Sequence, residues 1–218
     1  MQRISCLFIV SFFSFLTHLS AQDYHAFRFR GGDLLFQDLD CGDLCDAIEK
    51  VTKSAGDHHF SHIGLVYKRN DSLYIIEAIG KDVHLTPLET FINRQKDAHG
   101  NPKIVVGRLK KQYQALNKKA LNYAISQIGV PYDDDFGYNN GKYYCSELIY
   151  DAYKTANNNK PFFRLFPMTF KDPETGKTFP AWVDYYRQIN KEIPEGKPGC
   201  NPGGISTSDH IQIVQSFY

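Results

Sequence analysis

Three residues of the types that perform nucleophilic catalysis are spread over the chain: Cys145, His62 and Glu77. A thiolate attacks an acyl carbon, an imidazole carries the proton, and a carboxylate orients the imidazole. Cys145 begins the apolar stretch CSELIYDAY, whose spacing predicts a helix. The N–H groups of a helix N-terminus stabilise a thiolate and can receive an oxyanion. Helix periodicity alone favours the alternative, a small buried core cysteine.

A predicted β-hairpin places His62 near Glu77. Residues 63–67 and 73–79 are rich in β-branched and aromatic side chains and flank the turn-like sequence KRND. With the turn centred between the arginine and the asparagine of KRND, His62 faces Glu77 directly, at a Cβ separation of roughly 5 Å. A register shifted by two residues would instead place Ile79 opposite His62.

His62 and Glu77 are both unusual where they stand. Glu77 interrupts the apolar run LYIIEAI, and a carboxylate there is costly to bury unless it is paired. For Glu77 the alternative is an edge strand that leaves the carboxylate in water, and for His62 it is a hydrogen-bonded core histidine. The predicted juxtaposition of two such residues favours a catalytic set with Cys145.

The remaining pattern predicts one domain of the α+β class. Apolar residues at helical spacing predict further helices: one that starts within CGDLC, a short one after TP, one before GVPY and one over residues 181–189. The segment KIVVGRL predicts another strand. These elements place helices at both ends of a short antiparallel sheet.

Composition and the first residues narrow the function classes. The chain has 218 residues with a net charge of +1 and scattered Lys and Arg, so no nucleic-acid partner is expected. Arg3, the apolar residues 7–16 and the small pair at 20–21 predict a secretory signal peptide over residues 1–21. Residues 22–218 would then be one exported domain, periplasmic or secreted, without stable membrane insertion. A leader that stays attached as an anchor is the alternative.

Export permits disulfides, but the cysteine pairing stays open. Cys41 and Cys45 are expected on one helical turn, where the geometry for a bridge is poor. With the neighbouring His58 and His59 they form no recognisable zinc pattern, so neither a metal nor a cofactor is expected. Cys200 has no assigned partner.

Five motifs in order, GDLLF, SHIGLV, YIIEA, GVPYD and YYCSELIYDAY, resemble the permuted papain-like amidases of the NlpC/P60 superfamily, in particular the YiiX/YebB-like group. The resemblance covers residues 31–156. Unpermuted enzymes have the cysteine helix before the histidine strand, whereas here the cysteine comes last. The resemblance implies a circularly permuted papain-like fold, with an antiparallel sheet or small barrel flanked by helices. It also implies that Cys145 attacks, His62 acts as base and then acid, and Glu77 holds the ring.

The resemblance also suggests substrate contacts and a function. Tyr132 of GVPYD matches the family tyrosine beside the cysteine, and Tyr144, Ser61 and Ser146 adjoin the catalytic positions in sequence. The expected function is an exported cysteine amidase or peptidase acting on cell-wall-derived peptides such as peptidoglycan fragments. One alternative is a lipid-directed acyltransferase or N-acyl amide hydrolase of the lecithin:retinol acyltransferase-like type, and another is a non-catalytic binding module. Residues 162–198 match no motif and are a candidate wall of the substrate site.

Overall fold

The computed structural model describes residues 24–218, so the predicted signal peptide lies outside the described residues. The strands are β1 (Leu34–Gln37), β2 (His62–Arg69), β3 (Ser72–Ile79), β4 (Asp82–Pro87), β5 (Ile104–Leu109), β6 (Phe166–Pro167), β7 (Pro198–Gly199) and β8 (Ile211–Ser216). The helices are α1 (Asp43–Lys50), α2 (Leu88–Ile92), α3 (Asn117–Ser126), α4 (Cys145–Ala156), α5 (Pro180–Gln188) and α6 (Pro202–Ser206). Among the residues that the structure describes, no helix is long and apolar enough to cross a membrane.

Six strands form one open antiparallel sheet in the order β4-β3-β2-β1-β5-β8, and the short strands β6 and β7 pair with each other. The α+β class is therefore confirmed. Of the two expected arrangements, an antiparallel sheet or a small barrel, the structure has the sheet. All four residues of the central strand β1 are buried, which explains why its sequence LLFQ is apolar almost throughout.

Both faces of the sheet are covered by helices. Leu65 of β2 and Leu148 of α4 belong to the buried cluster on one face, whereas the next residue, Val66, belongs with Phe91 of α2 to the cluster on the other. Because side chains alternate along a strand, a sheet covered on both faces needs apolar residues at successive positions. The helix α4, which begins at Cys145, and the short helix α2 thus lie on opposite sides of the strand that carries His62.

The β2–β3 hairpin has a different register from the predicted one. Its loop has two residues, and the first of them, Asn70, has a φ of 55°, the left-handed conformation that such turns require. Leu65 consequently pairs with Ile76. If this register is continued to the start of β2, His62 lies opposite Ile79, which is the alternative register shifted by two residues. The prediction that His62 directly faces Glu77 is therefore wrong.

Cys41 and Cys45 are joined by a disulfide, contrary to the expectation of poor geometry. The reason is that Cys41 is not helical: α1 begins at Asp43, and Gly42 turns the chain with a φ of 78°. The two Cα atoms lie 5.3 Å apart, within the usual range for a bridge. The disulfide ties the first turn of α1 to the loop before it.

An ion pair links the start of β1 to β5 and gives a prediction about stability. Arg108 donates to both carboxylate oxygens of Asp33, at 2.6 Å from Nε and 2.7 Å from Nη2, and the Asp33 side chain is 1% exposed. Asp33→Asn leaves the guanidinium without its counter-charge. We expect the free energy of unfolding to fall by about 3 kcal/mol, measured by urea denaturation.

The chain offers a matched control for this prediction. Arg187 and Asp184 form a pair of the same type at 2.7 Å, but their side chains are 71% and 61% exposed. Asp184→Asn should change stability by less than about 0.5 kcal/mol because water screens an exposed pair. Equal losses in the two variants would contradict the view that burial makes the Asp33 pair important.

Candidate active site

Cys145 is held in place by the helix that it begins. Leu148, Ile149 and Ala152 of α4 are completely buried, so core contacts fix the position of the helix. Tyr144, at the N-cap position, is extended and makes no side-chain capping hydrogen bond. The N–H groups of the first turn and the helix dipole therefore favour a negative charge at the cysteine.

His62 and Glu77 are in direct contact despite the shifted register. His62 Nε2 lies 2.6 Å from Glu77 Oε2, and the two side chains are 4% and 0% exposed. The register makes them diagonal neighbours on one face, with Gly64 beside both. A Cβ at Gly64 would lie 2.2 Å from Cγ2 of Ile75, so this position requires glycine. The missing side chain leaves room for the imidazole to reach the carboxylate.

Glu77 has further hydrogen-bond donors besides His62. Arg94, which follows α2, donates to both carboxylate oxygens, from Nη2 to Oε1 at 2.6 Å and from Nη1 to Oε2 at 3.0 Å. The Thr86 hydroxyl of β4 donates to Oε1 at 2.5 Å. A completely buried carboxylate with this set of donors is stable as an anion.

The protonation states follow from these contacts. Burial by itself would lower the pKa of His62, but its interactions with Cys145 and Glu77 raise it to about 9. Burial would raise the pKa of Glu77, but His62 and Arg94 hold it well below its usual range. An ionised carboxylate can only accept, so Nε2 of His62 carries a hydrogen. Nδ1 is the nitrogen that remains for Cys145.

Tyr132 lies beside the cysteine. It lines the same cavity as Cys145 and His62, and its backbone N–H donates to the Lys81 carbonyl at 2.9 Å. Burial and the nearby charge of Cys145 raise the pKa of Tyr132 well above its ordinary value. Its hydroxyl is therefore protonated and available as a hydrogen-bond donor.

The other three residues predicted to contact substrate have their polar atoms engaged within the fold. The Cys200 N–H donates to the Tyr144 hydroxyl at 3.2 Å, and the Ser146 hydroxyl donates to the Cys200 carbonyl at 3.0 Å. The Ser61 hydroxyl accepts from the Leu39 N–H at 2.9 Å. All three line the cavity, so they contact a ligand mainly by van der Waals packing and not by hydrogen bonds.

A cavity of about 410 Å³ opens at Cys145 and His62. Its walls come largely from α1 and from the stretch around β6, and α5 contributes Trp182. The large apolar side chains in these walls include Leu44, Ile48, Phe166, Met168, Phe170 and Trp182. Among the described residues that line it there is no Asp, Glu, Lys or Arg. Residues 162–198, which matched no motif, thus supply a large part of the wall.

Helix α5 is fixed over the loop that follows Tyr132. The Tyr185 hydroxyl donates to the Asp134 carbonyl at 2.8 Å, and the Tyr186 hydroxyl donates to the Asp135 carbonyl at 3.1 Å. These bonds join α5 to the loop that leads into α4.

Arg94 and Thr86 were not among the site residues predicted from the sequence. The sequence indicated only that a buried Glu77 needs a partner. Thr86 carried no signal, because TP was interpreted as the start of a short helix, whereas Thr86 lies in β4. Arg94 stands in a loop, and nothing in its spacing pointed to the carboxylate.

The order of elements and the site define the class of protein. Residues 28–215 match the family described as permuted papain-like amidase enzyme, YaeF/YiiX, C92 family. The chain belongs to this family, which confirms the resemblance seen in the sequence. Its histidine strand precedes its cysteine helix, as the permutation requires.

Two individual relatives are informative. The protein named "Uncharacterized protein YiiX" from Escherichia coli K12 is 34% identical over 131 residues, which are 57% of this chain and 57% of that protein. The crystal structure described as metalloprotein yiiX from Escherichia coli O157:H7 has a TM-score of 0.67 at 23% identity, and the match covers 87% of this chain and 98% of that one. At this identity the structural match establishes a shared fold.

The description of that solved relative as a metalloprotein raises the question of a metal here. Within residues 24–218 there is no group of three or more His, Cys, Asp or Glu side chains that could hold a metal ion. Cys41 and Cys45 are joined to each other, so they do not provide thiolate ligands. We therefore derive no step through a metal.

Proposed function

We propose that this protein is an exported cysteine amidase that forms an acyl-enzyme at Cys145. The thiolate attacks the carbonyl carbon of an amide, and a C–S bond forms. N–H groups at the start of α4 and the Tyr132 hydroxyl receive the oxyanion. His62 gives its proton to the departing amine as the C–N bond breaks. The observation that carries the proposal is the buried 2.6 Å contact between His62 and Glu77 beside the first residue of α4.

Water completes the reaction. It attacks the thioester carbon, and its proton passes to Nδ1 of His62. The C–S bond then breaks, its electron pair returns to sulfur, and the carboxylic acid leaves. The pair of Cys145 thiolate and His62 imidazolium is restored, while Glu77 keeps the ring in one orientation throughout.

Alkylation with iodoacetamide across pH tests the nucleophile directly. We expect Cys145 to react at pH 6 about 10²-fold faster than a free thiol, because the proposed mechanism requires the thiolate form that the helix N-terminus and His62 favour. His62→Ala should remove this advantage. Cys200→Ser is the control and should leave the fast reaction intact, since burial raises the pKa of the Cys200 thiol and keeps it unreactive. A Cys145 that reacts no faster than a free thiol would contradict the proposal.

The substrate class has two candidates. Cell-wall peptides follow from the predicted export, but such peptides carry charged and polar groups that the cavity lining does not pair. An N-acyl amide with an apolar acyl group fits the lining, since each buried methylene contributes about 0.8 kcal/mol. The cavity beside Cys145 therefore favours the second candidate.

A cavity-filling variant tests this preference. Ile48→Trp should lower kcat/KM for a dodecanoyl amide about tenfold relative to an acetyl amide, because it displaces roughly two methylenes. Ile128, which is 45% exposed and outside the cavity lining, provides the control as Ile128→Trp. Rates on both amides and on purified peptidoglycan are measured side by side. Cleavage of peptidoglycan alone, or an unchanged ratio in Ile48→Trp, would contradict the acyl-group assignment.

A further inference from the structure

Arg94 is the charged side chain of the site that takes no part in the steps above. Its guanidinium contacts both oxygens of Glu77, lies 5.0 Å from the ring centroid of Phe91, and donates weakly to Gln37 Oε1 at 3.4 Å. The Arg94 side chain is 25% exposed, whereas Glu77 is completely buried. Guanidinium stays protonated at any working pH, so the positive charge beside the carboxylate is permanent.

The need for this charge depends on the stage of the reaction. In the free enzyme of the proposed mechanism, the imidazolium of His62 lies between two anions, the Cys145 thiolate and the Glu77 carboxylate. In the acyl-enzyme the thiolate charge is gone, and His62, which is neutral after giving its proton to the amine, must stay neutral until it accepts a proton from water. A buried carboxylate without a second cation would direct its whole charge at the imidazole and hold the imidazolium form.

We propose that Arg94 is a positioning residue that neutralises Glu77, so that His62 becomes an effective base once Cys145 is acylated. The inference rests on the proposed acyl-enzyme. The bidentate contact also directs Glu77 Oε2 toward His62 Nε2, which fixes the ring while sharing the carboxylate charge between two cations. With Arg94 bound, Glu77 still orients the ring of His62 but stabilises the positive charge of the imidazolium less strongly.

The titratable or charged groups that face His62 and Glu77 from the packed elements are Cys145 on α4 and Arg94 after α2. Thr86 of β4 and Gln37 of β1 are polar without titrating in the working range. Arg94 is therefore the permanent charge available within this network.

A titration of His62 tests the inference without a substrate. In Cys145→Ser, which lacks the thiolate charge as the acyl-enzyme does, NMR of labelled histidine follows the protonation of His62. His62→Gln identifies the resonance. Adding Arg94→Gln should raise the titration midpoint of His62 by about one pH unit, because without the positive charge of Arg94 the Glu77 carboxylate stabilises the imidazolium more strongly. Arg94→Lys restores a charge without the two-pronged contact and should give an intermediate midpoint.

Arg108 provides the matched control. It forms an equally bidentate pair with Asp33 away from the site, so Arg108→Gln should leave the His62 midpoint unchanged. A midpoint that stays constant or falls in Arg94→Gln, or that rises equally in Arg108→Gln, would overturn the inference. If Arg94→Gln does not fold, a His62 midpoint in Arg94→Lys equal to that of Cys145→Ser alone would overturn the inference. Failure of fast alkylation at Cys145 would instead count against the amidase proposal, so the two outcomes are distinguishable.

Discussion

Replacing Cys145 by serine is expected to lower amide hydrolysis by at least about 10³-fold. A serine hydroxyl keeps the size and neutral polarity of the thiol, but His62 cannot hold it as an anion near neutral pH as it holds the thiolate. Release of amine from the best substrate measures the rate. Mass spectrometry of quenched reactions detects the acyl adduct, which should be present in the parent protein and absent in the variant.

The same prediction extends to His62, because the two residues act as a unit. His62→Gln should cost a comparable factor, and the double variant should be no slower than either single one. Urea denaturation of each variant shows whether the fold is kept. Cys145→Ser protein that is folded and keeps more than a tenth of the parent rate would exclude the thioester route.

The sequence predicted the contact between His62 and Glu77 although the register was wrong. A register error of two residues keeps every side chain on the same face of the sheet, because strand side chains alternate with a period of two. An error of one residue would have put Glu77 on the opposite face. The two-residue loop that begins at Asn70 caused the shift, and its turn type was not recognised in KRND. Face and proximity were therefore more predictable than the exact partner.

Other parts of the site depend on contacts between distant segments. Arg94 reaches Glu77 because α2 docks against the sheet through Phe91. The sequence predicted this short helix, but its periodicity does not locate the loop that follows it. Part of the cavity wall comes from the irregular segment around Met168, which carries turns in place of a repeating pattern. The disulfide between Cys41 and Cys45 was not predicted because Cys41 was expected to be helical, whereas α1 begins two residues later, at Asp43.

Glu77→Gln is expected to lower the rate by about 10³-fold and the free energy of unfolding at pH 7 by about 3 to 5 kcal/mol. The amide cannot neutralise Arg94, which is left partly buried beside it, and it cannot stabilise the imidazolium of His62. Rates are measured with the same amide, and stability is measured by urea denaturation. Asp33→Asn is the matched control, since it also breaks a buried carboxylate–arginine pair but lies outside the site and should leave the chemical step intact.

The pH dependence of stability distinguishes the role of Glu77 from a loss of packing. The pKa of Glu77 is held well below its ordinary 4.5, so its stabilising effect is present above that pH and is lost as the pH falls further. The pKa of His62 is raised from 6.5 to about 9, so its contribution is complete below pH 6.5 and is lost as the pH rises through 9. The parent protein should therefore lose stability at both ends of the range. Glu77→Gln should flatten both limbs, and a variant whose stability falls by the same amount at every pH would show that the network acts through packing and not through charge.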